Sequence, residues 1–205
     1  MNIYSISLLY YILYPFSKIV HFRIPTKFLR IIESLYFVIG CLIYLYLPKF
    51  DTINWLIVGI LIWIIYLPIM VAMNSGSINL FLGFKYKLIR YCKYLALNKI
   101  KSLNCILAVI KEELIWRYEY VYFMQMLEFN KVLIILFGSV LFYAIHWGKT
   151  EKIVLLSEIE FLIFSLLLYI IYFYSNSMVL LITIHFMRNS YLDFIKYRNE
   201  RWISY

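Results

Sequence analysis

Charged residues are scarce in this chain: they make up only 15% of its 205 residues, and 11 acidic residues stand against 20 Lys and Arg. Its six glycines build no phosphate-cradling loop. No G-x-S-x-G elbow and no H-E-x-x-H pair occurs either, so the common nucleotide-binding, serine-hydrolase and zincin signatures are all missing. The three cysteines, Cys41, Cys92 and Cys105, are an odd set without C-x-x-C spacing. They imply neither a disulfide framework nor a redox pair. Cys41 falls within an apolar segment, where a thiol behaves as a small hydrophobe.

What fills the chain instead is apolar and aromatic. Hydrophobic residues make up 64% and aromatic residues 20%, with a mean hydropathy of +0.81. Such a composition belongs to an integral membrane protein, not a soluble domain. The length leaves room for about seven helical spans of roughly 20 residues each, with short connections and no separate soluble domain. The expected fold is therefore an all-α, polytopic helical bundle forming one integral domain over residues 1–205. Apolar segments fall near 4–20, 31–47, 53–73, 103–125, 131–147, 153–173 and 177–192. Pro15 interrupts the first of these. No basic residue precedes that segment and no small-residue cleavage site ends it, so it reads as a span and not a cleaved signal.

The basic residues orient this layout. With the N-terminus outside, the inward-facing segments 18–30, 74–102, 148–152 and the tail from Arg188 hold 16 of the 20 Lys and Arg residues. The outward loops hold only Lys49 and Lys131. This is the positive-inside pattern, and it predicts N-out, C-in topology in a cell membrane. Anionic inner-leaflet lipid accounts for the net charge of +9, and no nucleic-acid partner is needed. The only long connection opens with the turn-like Asn74-Ser75-Gly76-Ser77. Residues 84–101 then alternate basic and apolar side chains, which suits a helix lying on the cytoplasmic face.

Ionisable residues inside apolar segments carry the functional signal. A charge at mid-bilayer costs about 2.5–3.5 kcal/mol on insertion scales, so it needs a partner or a function. The stretch Lys111-Glu112-Glu113-Leu114-Ile115-Trp116-Arg117-Tyr118-Glu119-Tyr120 places three glutamates and an arginine on one helix. Glu113 and Arg117 are four apart and can meet as an ion pair. Glu112 points elsewhere and has only Lys111 as a local cation, which can snorkel toward the interface. Of the three histidines, His21 lies in a basic loop, while His146 and His185 lie near the ends of apolar segments. The antiparallel layout puts Glu112, His146 and His185 at similar depths in the inner half of the membrane. Glu33, Glu158 and Glu160 read as interfacial or helix-pairing groups.

A poorly solvated carboxylate is a competent general base for water, and an imidazole beside it can orient that water. A second imidazole and a carboxamide N–H, here His185 and Asn189 one turn apart, can donate to the oxyanion formed when water attacks an amide carbonyl. The same atoms can instead ligate zinc through Glu112, His146 and His185, with water in the open position.

The three motifs, E-E-x-x-x-R at 112–117, F-x-x-x-H at 142–146 and H-x-x-x-N at 185–189, occur in this order on three hydrophobic helices. Together they resemble those of the CPBP family of intramembrane proteases, which includes CAAX prenyl endopeptidases and bacteriocin-processing or self-immunity proteins. The motif-bearing core is 103–192. The resemblance implies that Glu112 activates water with help from His146, that His185 and Asn189 form the oxyanion site, and that Glu113 and Arg117 support it. It implies a glutamic-type, metal-independent endopeptidase without cofactor, and it makes Phe142 a packing residue.

The substrate expected from the resemblance is a small peptide or membrane-proximal precursor in bacteriocin or peptide maturation or self-immunity, with an exporter or peptide-maturation partner nearby. The alternative is a non-catalytic immunity or scaffold protein that binds a toxin or a membrane partner. The Ile, Lys and Tyr bias points to an A/T-rich, Gram-positive genome. Tyr118 and Tyr143 stand where many members carry a small residue, and a proline common shortly before the third motif is missing.

Overall fold

A computed structural model describes residues 11–12, 14–15, 26–46, 54–75, 84–146 and 155–203. Most of the apolar segment 4–20, the loop containing His21, and Lys49, Lys149 and Lys152 lie outside the described residues. Within them every element is helical and there is no strand. The helices are α1 (Thr26–Tyr46), α2 (Asn54–Ser75), α3 (Phe84–Leu97), α4 (Lys99–Glu113), a π-helical segment (Leu114–Glu119), α5 (Tyr120–Met126), α6 (Lys131–His146), α7 (Leu155–Ser175) and α8 (Met178–Ile203). The expected surface helix over 84–101 thus divides at Asn98, and the expected span over 103–125 becomes one helical run with a π-segment at its centre.

Among the described residues two helices, over Asn54–Asn74 and Leu155–Ser175, are long and apolar enough to cross a membrane, while the apolar stretches Ile31–Leu42 and Lys131–His146 are shorter. About seven spans were expected. The run through Glu113, Arg117 and Glu119 carries too many charges to count by length and apolarity, and this is the stretch that bears the first motif. Pro68 sits inside α2. A membrane helix accommodates such a residue where neighbouring groups satisfy the carbonyl that loses its N–H partner.

The chain divides into two compact units, one of Met1–Phe50 with Lys111–Met178 and the other of Asp51–Ile110 with Val179–Tyr205. Neither is a contiguous piece of sequence.

In the first unit, α1 packs on the π-segment, α6 packs on both the π-segment and α5, and α7 packs on α6. Nine consecutive residues, 113–121, are buried, as expected for a helix surrounded on all sides. Gly138 on α6 permits the close approach: a Cβ there would stand 2.5 Å from Tyr169 and 2.7 Å from Tyr120. Small residues at such crossings let membrane helices pack closely.

The connections within this unit are tight. Glu128 and Asn176 adopt positive φ; the Phe129 N–H reaches back to the Met124 carbonyl, closing the end of α5, as in a Schellman ending. Asn130 then caps α6, its Oδ1 accepting the Val132 N–H at 2.8 Å.

In the second unit, α2, α3 and α8 meet through aromatic rings. Trp63, Tyr91, Tyr191 and Phe194 form a contiguous cluster with centroid separations between 5.3 and 5.9 Å, a range suited to edge and offset packing. Tyr91 and Ser190 share a hydrogen bond of 2.5 Å. Burial pushes the Tyr91 phenol above its ordinary value. Gly59 lets α2 approach α8, since a Cβ there would meet Thr183 at 2.9 Å.

Candidate active site

The first motif sits where α4 gives way to the π-segment. Glu113 and Arg117 form the ion pair that their spacing predicts, Oε1 to Nη1 at 3.3 Å, with both side chains fully buried. The guanidinium carbon lies 3.6 Å from the centroid of the Phe142 ring and 5.1 Å from that of Tyr169. Its planar cation is therefore supported by an aromatic face as well as by a carboxylate. Phe142, expected to be a packing residue, is fully buried and forms the platform beneath Arg117.

π-helical turns inside α-helices mark functional positions more often than chance, because the widened turn re-aims side chains and presents carbonyls outward. Here two tyrosine hydroxyls take such carbonyls. Tyr11 donates to Ile115 O at 3.0 Å, and Tyr169 donates to Trp116 O. Both contacts are buried, where an unsatisfied backbone carbonyl would be costly. Neither tyrosine was marked by the sequence motifs.

Glu112 and His146 come together: Oε1 and Nε2 are 3.5 Å apart, with side-chain exposures of 28% and 18%. This pair is partly open to water while the Glu113–Arg117 pair is closed. The other ring nitrogen of His146, Nδ1, lies 2.9 Å from the Phe142 carbonyl oxygen. A carbonyl can only accept, so Nδ1 carries the hydrogen, and in the neutral imidazole the lone pair is on Nε2, facing Glu112. Two acceptors that close need a hydrogen between them. An imidazolium, a protonated Glu112 carboxyl or a water that donates to both can supply it, and such a water turns its own lone pairs outward. Phe142 and Phe161 wall the imidazole in, with centroids 4.6 and 4.9 Å from it.

Lys111 does not serve as the local cation for Glu112 that the sequence suggested. Its Nζ lies 2.5 Å from Oε2 of Glu33 on α1, and Tyr14 donates a hydrogen bond to the other oxygen of Glu33. Glu33 is thus a helix-pairing group, as expected. Glu160 on α7 is fully buried, which fits the helix-pairing alternative.

The bulky departures from the motif pattern point into helix packing. Tyr118 meets Tyr44 at 5.2 Å and Tyr172 at 6.2 Å, and Tyr143 meets Phe161 at 6.3 Å.

His185 and Asn189 belong to the second unit, one turn apart on α8. His185 is buried, and Asn189 accepts a hydrogen bond from Arg188 at 3.2 Å through Oδ1. That contact leaves the carboxamide N–H₂ as the group Asn189 can offer elsewhere. The first unit therefore supplies two of the three donors that a zinc site would take, Glu112 and His146, and the second holds His185.

Residues 100–191, which contain all three motifs, match the family model described as type II CAAX prenyl endopeptidase Rce1-like. This segment is therefore similar to the CAAX protease family. The Rce1-like match covers somewhat less than half of the 205-residue chain and supports a CAAX-type intramembrane protease function in general terms. It begins after α1, α2 and α3, so Tyr11, Tyr14 and Glu33 lie outside it. No curated protein and no solved structure matches the chain.

Proposed function

We propose that this protein is a glutamic-type intramembrane endopeptidase that cuts a small peptide or membrane-proximal precursor. The observation that carries this reading is the Glu112–His146 pair, in which Nδ1 is tied to the Phe142 carbonyl and Nε2 is turned to the carboxylate. In the proposed reaction, water between these two groups gives a proton to the pair as its oxygen attacks the scissile carbonyl carbon. His185 and Asn189 donate N–H groups to the oxyanion. The C–N bond then breaks, and the proton held by the pair passes to the leaving amine. Glu113 and Arg117, locked on Phe142, hold the helix that presents Glu112. No metal takes part, although the tautomer that makes Nε2 a base would also suit it as a zinc ligand.

The same reading carries the membrane layout of about seven spans, N-out and C-in, in a Gram-positive cell membrane. It places the substrate in peptide or bacteriocin maturation or self-immunity, with an exporter as a neighbouring partner.

The discriminating experiment uses Glu112→Gln expressed at the wild-type level in the native host. Loss of the wild-type phenotype, whether maturation or immunity, is the expected result. Its full survival would favour a non-catalytic immunity or scaffold protein instead.

A further inference from the structure

Among the described residues, Glu33 is the one that holds Lys111, the cation adjacent in sequence to the proposed base. Both of its carboxylate oxygens are engaged: Oε2 by the Lys111 ammonium at 2.5 Å and Oε1 by the Tyr14 hydroxyl. The three side chains are only part-buried. At such a part-exposed site an ion pair contributes little to stability, so a purely structural purpose is a weak explanation for tying down two donors. What the arrangement does is fix the position of a positive charge. Lys111 is followed directly by Glu112, and its four-carbon stem gives its ammonium a wide sweep. An ammonium drawn onto Glu112 would stabilise the carboxylate and weaken it as a base.

We infer that Glu33, braced by Tyr14, is a positioning residue that holds Lys111 off the proposed base, so that Glu112 is left to His146. The inference rests on the protease reading. It assigns a role to residues 14 and 33, which lie outside the Rce1-like segment, and so to the N-terminal part of the chain. Glu33 touches no reacting atom. In this role it acts through Lys111, and that makes the two single substitutions unequal.

The test measures kcat and KM for cleavage of fluorescein-labelled casein and of a prenylated CAAX peptide by the full-length protein in proteoliposomes. It compares wild type, Glu33→Gln, Lys111→Gln and the double variant, with thermal unfolding recorded for each. Glu33→Gln frees the ammonium and is expected to lower kcat on the order of tenfold with KM little changed, part of the roughly 10²–10⁴-fold that a positioned base contributes. Lys111→Gln removes the cation and keeps the wild-type kcat. The double variant regains what Glu33→Gln lost.

A merely structural ion pair would make both single variants equally slow and equally unstable, and that result would overturn the inference while leaving the protease reading in place. A wild-type protein that cleaves neither probe would overturn both.

Discussion

The guanidinium of Arg117 rests on the face of the Phe142 ring, 3.6 Å from its centroid, while Glu113 pairs with it at 3.3 Å. These contacts lock the first motif to the second, because the backbone carbonyl of the same Phe142 also orients His146. Lysine cannot reproduce them: it has a point charge and no planar face. Arg117→Lys is therefore expected to lower the Tm in detergent. Arg117→Gln, which takes the cation away from the buried Glu113 carboxylate, is expected to cost about 3–5 kcal/mol. The neutral pair Glu113→Gln with Arg117→Met should recover much of that stability. Equal stability of Arg117→Gln and wild type would show that the pair does not hold this part of the fold.

The π-segment depends on hydroxyls supplied by other parts of the chain. Tyr169→Phe deletes the donor to Trp116 O and Tyr11→Phe the donor to Ile115 O. Tyr169→Phe removes a buried hydrogen bond, a loss of about 1–3 kcal/mol, while Tyr11→Phe costs less because Ile115 O keeps the Tyr120 N–H. Hydrogen exchange should rise at the amides of residues 114–121 more than elsewhere in the first unit. Uniform exchange across that unit would mean that the segment keeps its shape without them.

Gly138 offers a steric test of the same region. A Cβ there would lie 2.5 Å from Tyr169 and 2.7 Å from Tyr120, and these ring atoms are backed by neighbouring helices. Gly138→Ala is expected to destabilise by about 1–3 kcal/mol through overpacking, and Gly138→Leu to prevent stable expression. A wild-type melting curve for Gly138→Leu would contradict this packing.

The proposed chemistry needs no metal. Protein purified and treated with a strong chelator should keep its cleavage rate and carry far less than one zinc per chain. Near-stoichiometric zinc, with activity lost on chelation and restored by zinc, would assign Glu112, His146 and His185 to a metal instead.

Much of this organisation is legible in the sequence, because its signals are local. The apolar runs 53–73, 131–147 and 153–173 mark α2, α6 and α7 to within about two residues, whereas α8 continues well past 192 to Ile203; the four-residue spacing of Glu113 and Arg117 forecasts their ion pair. The order of the three motifs points to the family that residues 100–191 match. The π-segment is not legible: Leu114 to Glu119 is buried on every side, so no apolar stripe exists whose period could betray a widened turn. The partner of Lys111 is hidden for another reason. Glu33 is 78 residues away, and only the packing of α1 on the π-segment makes them neighbours. Tyr118 and Tyr143 stand out in the sequence only as bulky departures from the family pattern, because spacing says nothing of direction; in the fold they pack against other rings.

The account turns on Glu112, and the most direct measurement is cleavage by purified protein in proteoliposomes, comparing Glu112→Gln with wild type at matched protein content. The amide keeps the shape of the carboxylate but cannot take the proton from water. The proposed mechanism predicts a fall in kcat of roughly 10²-fold or more with an unchanged melting temperature. Cleavage by Glu112→Gln at the wild-type rate would contradict it.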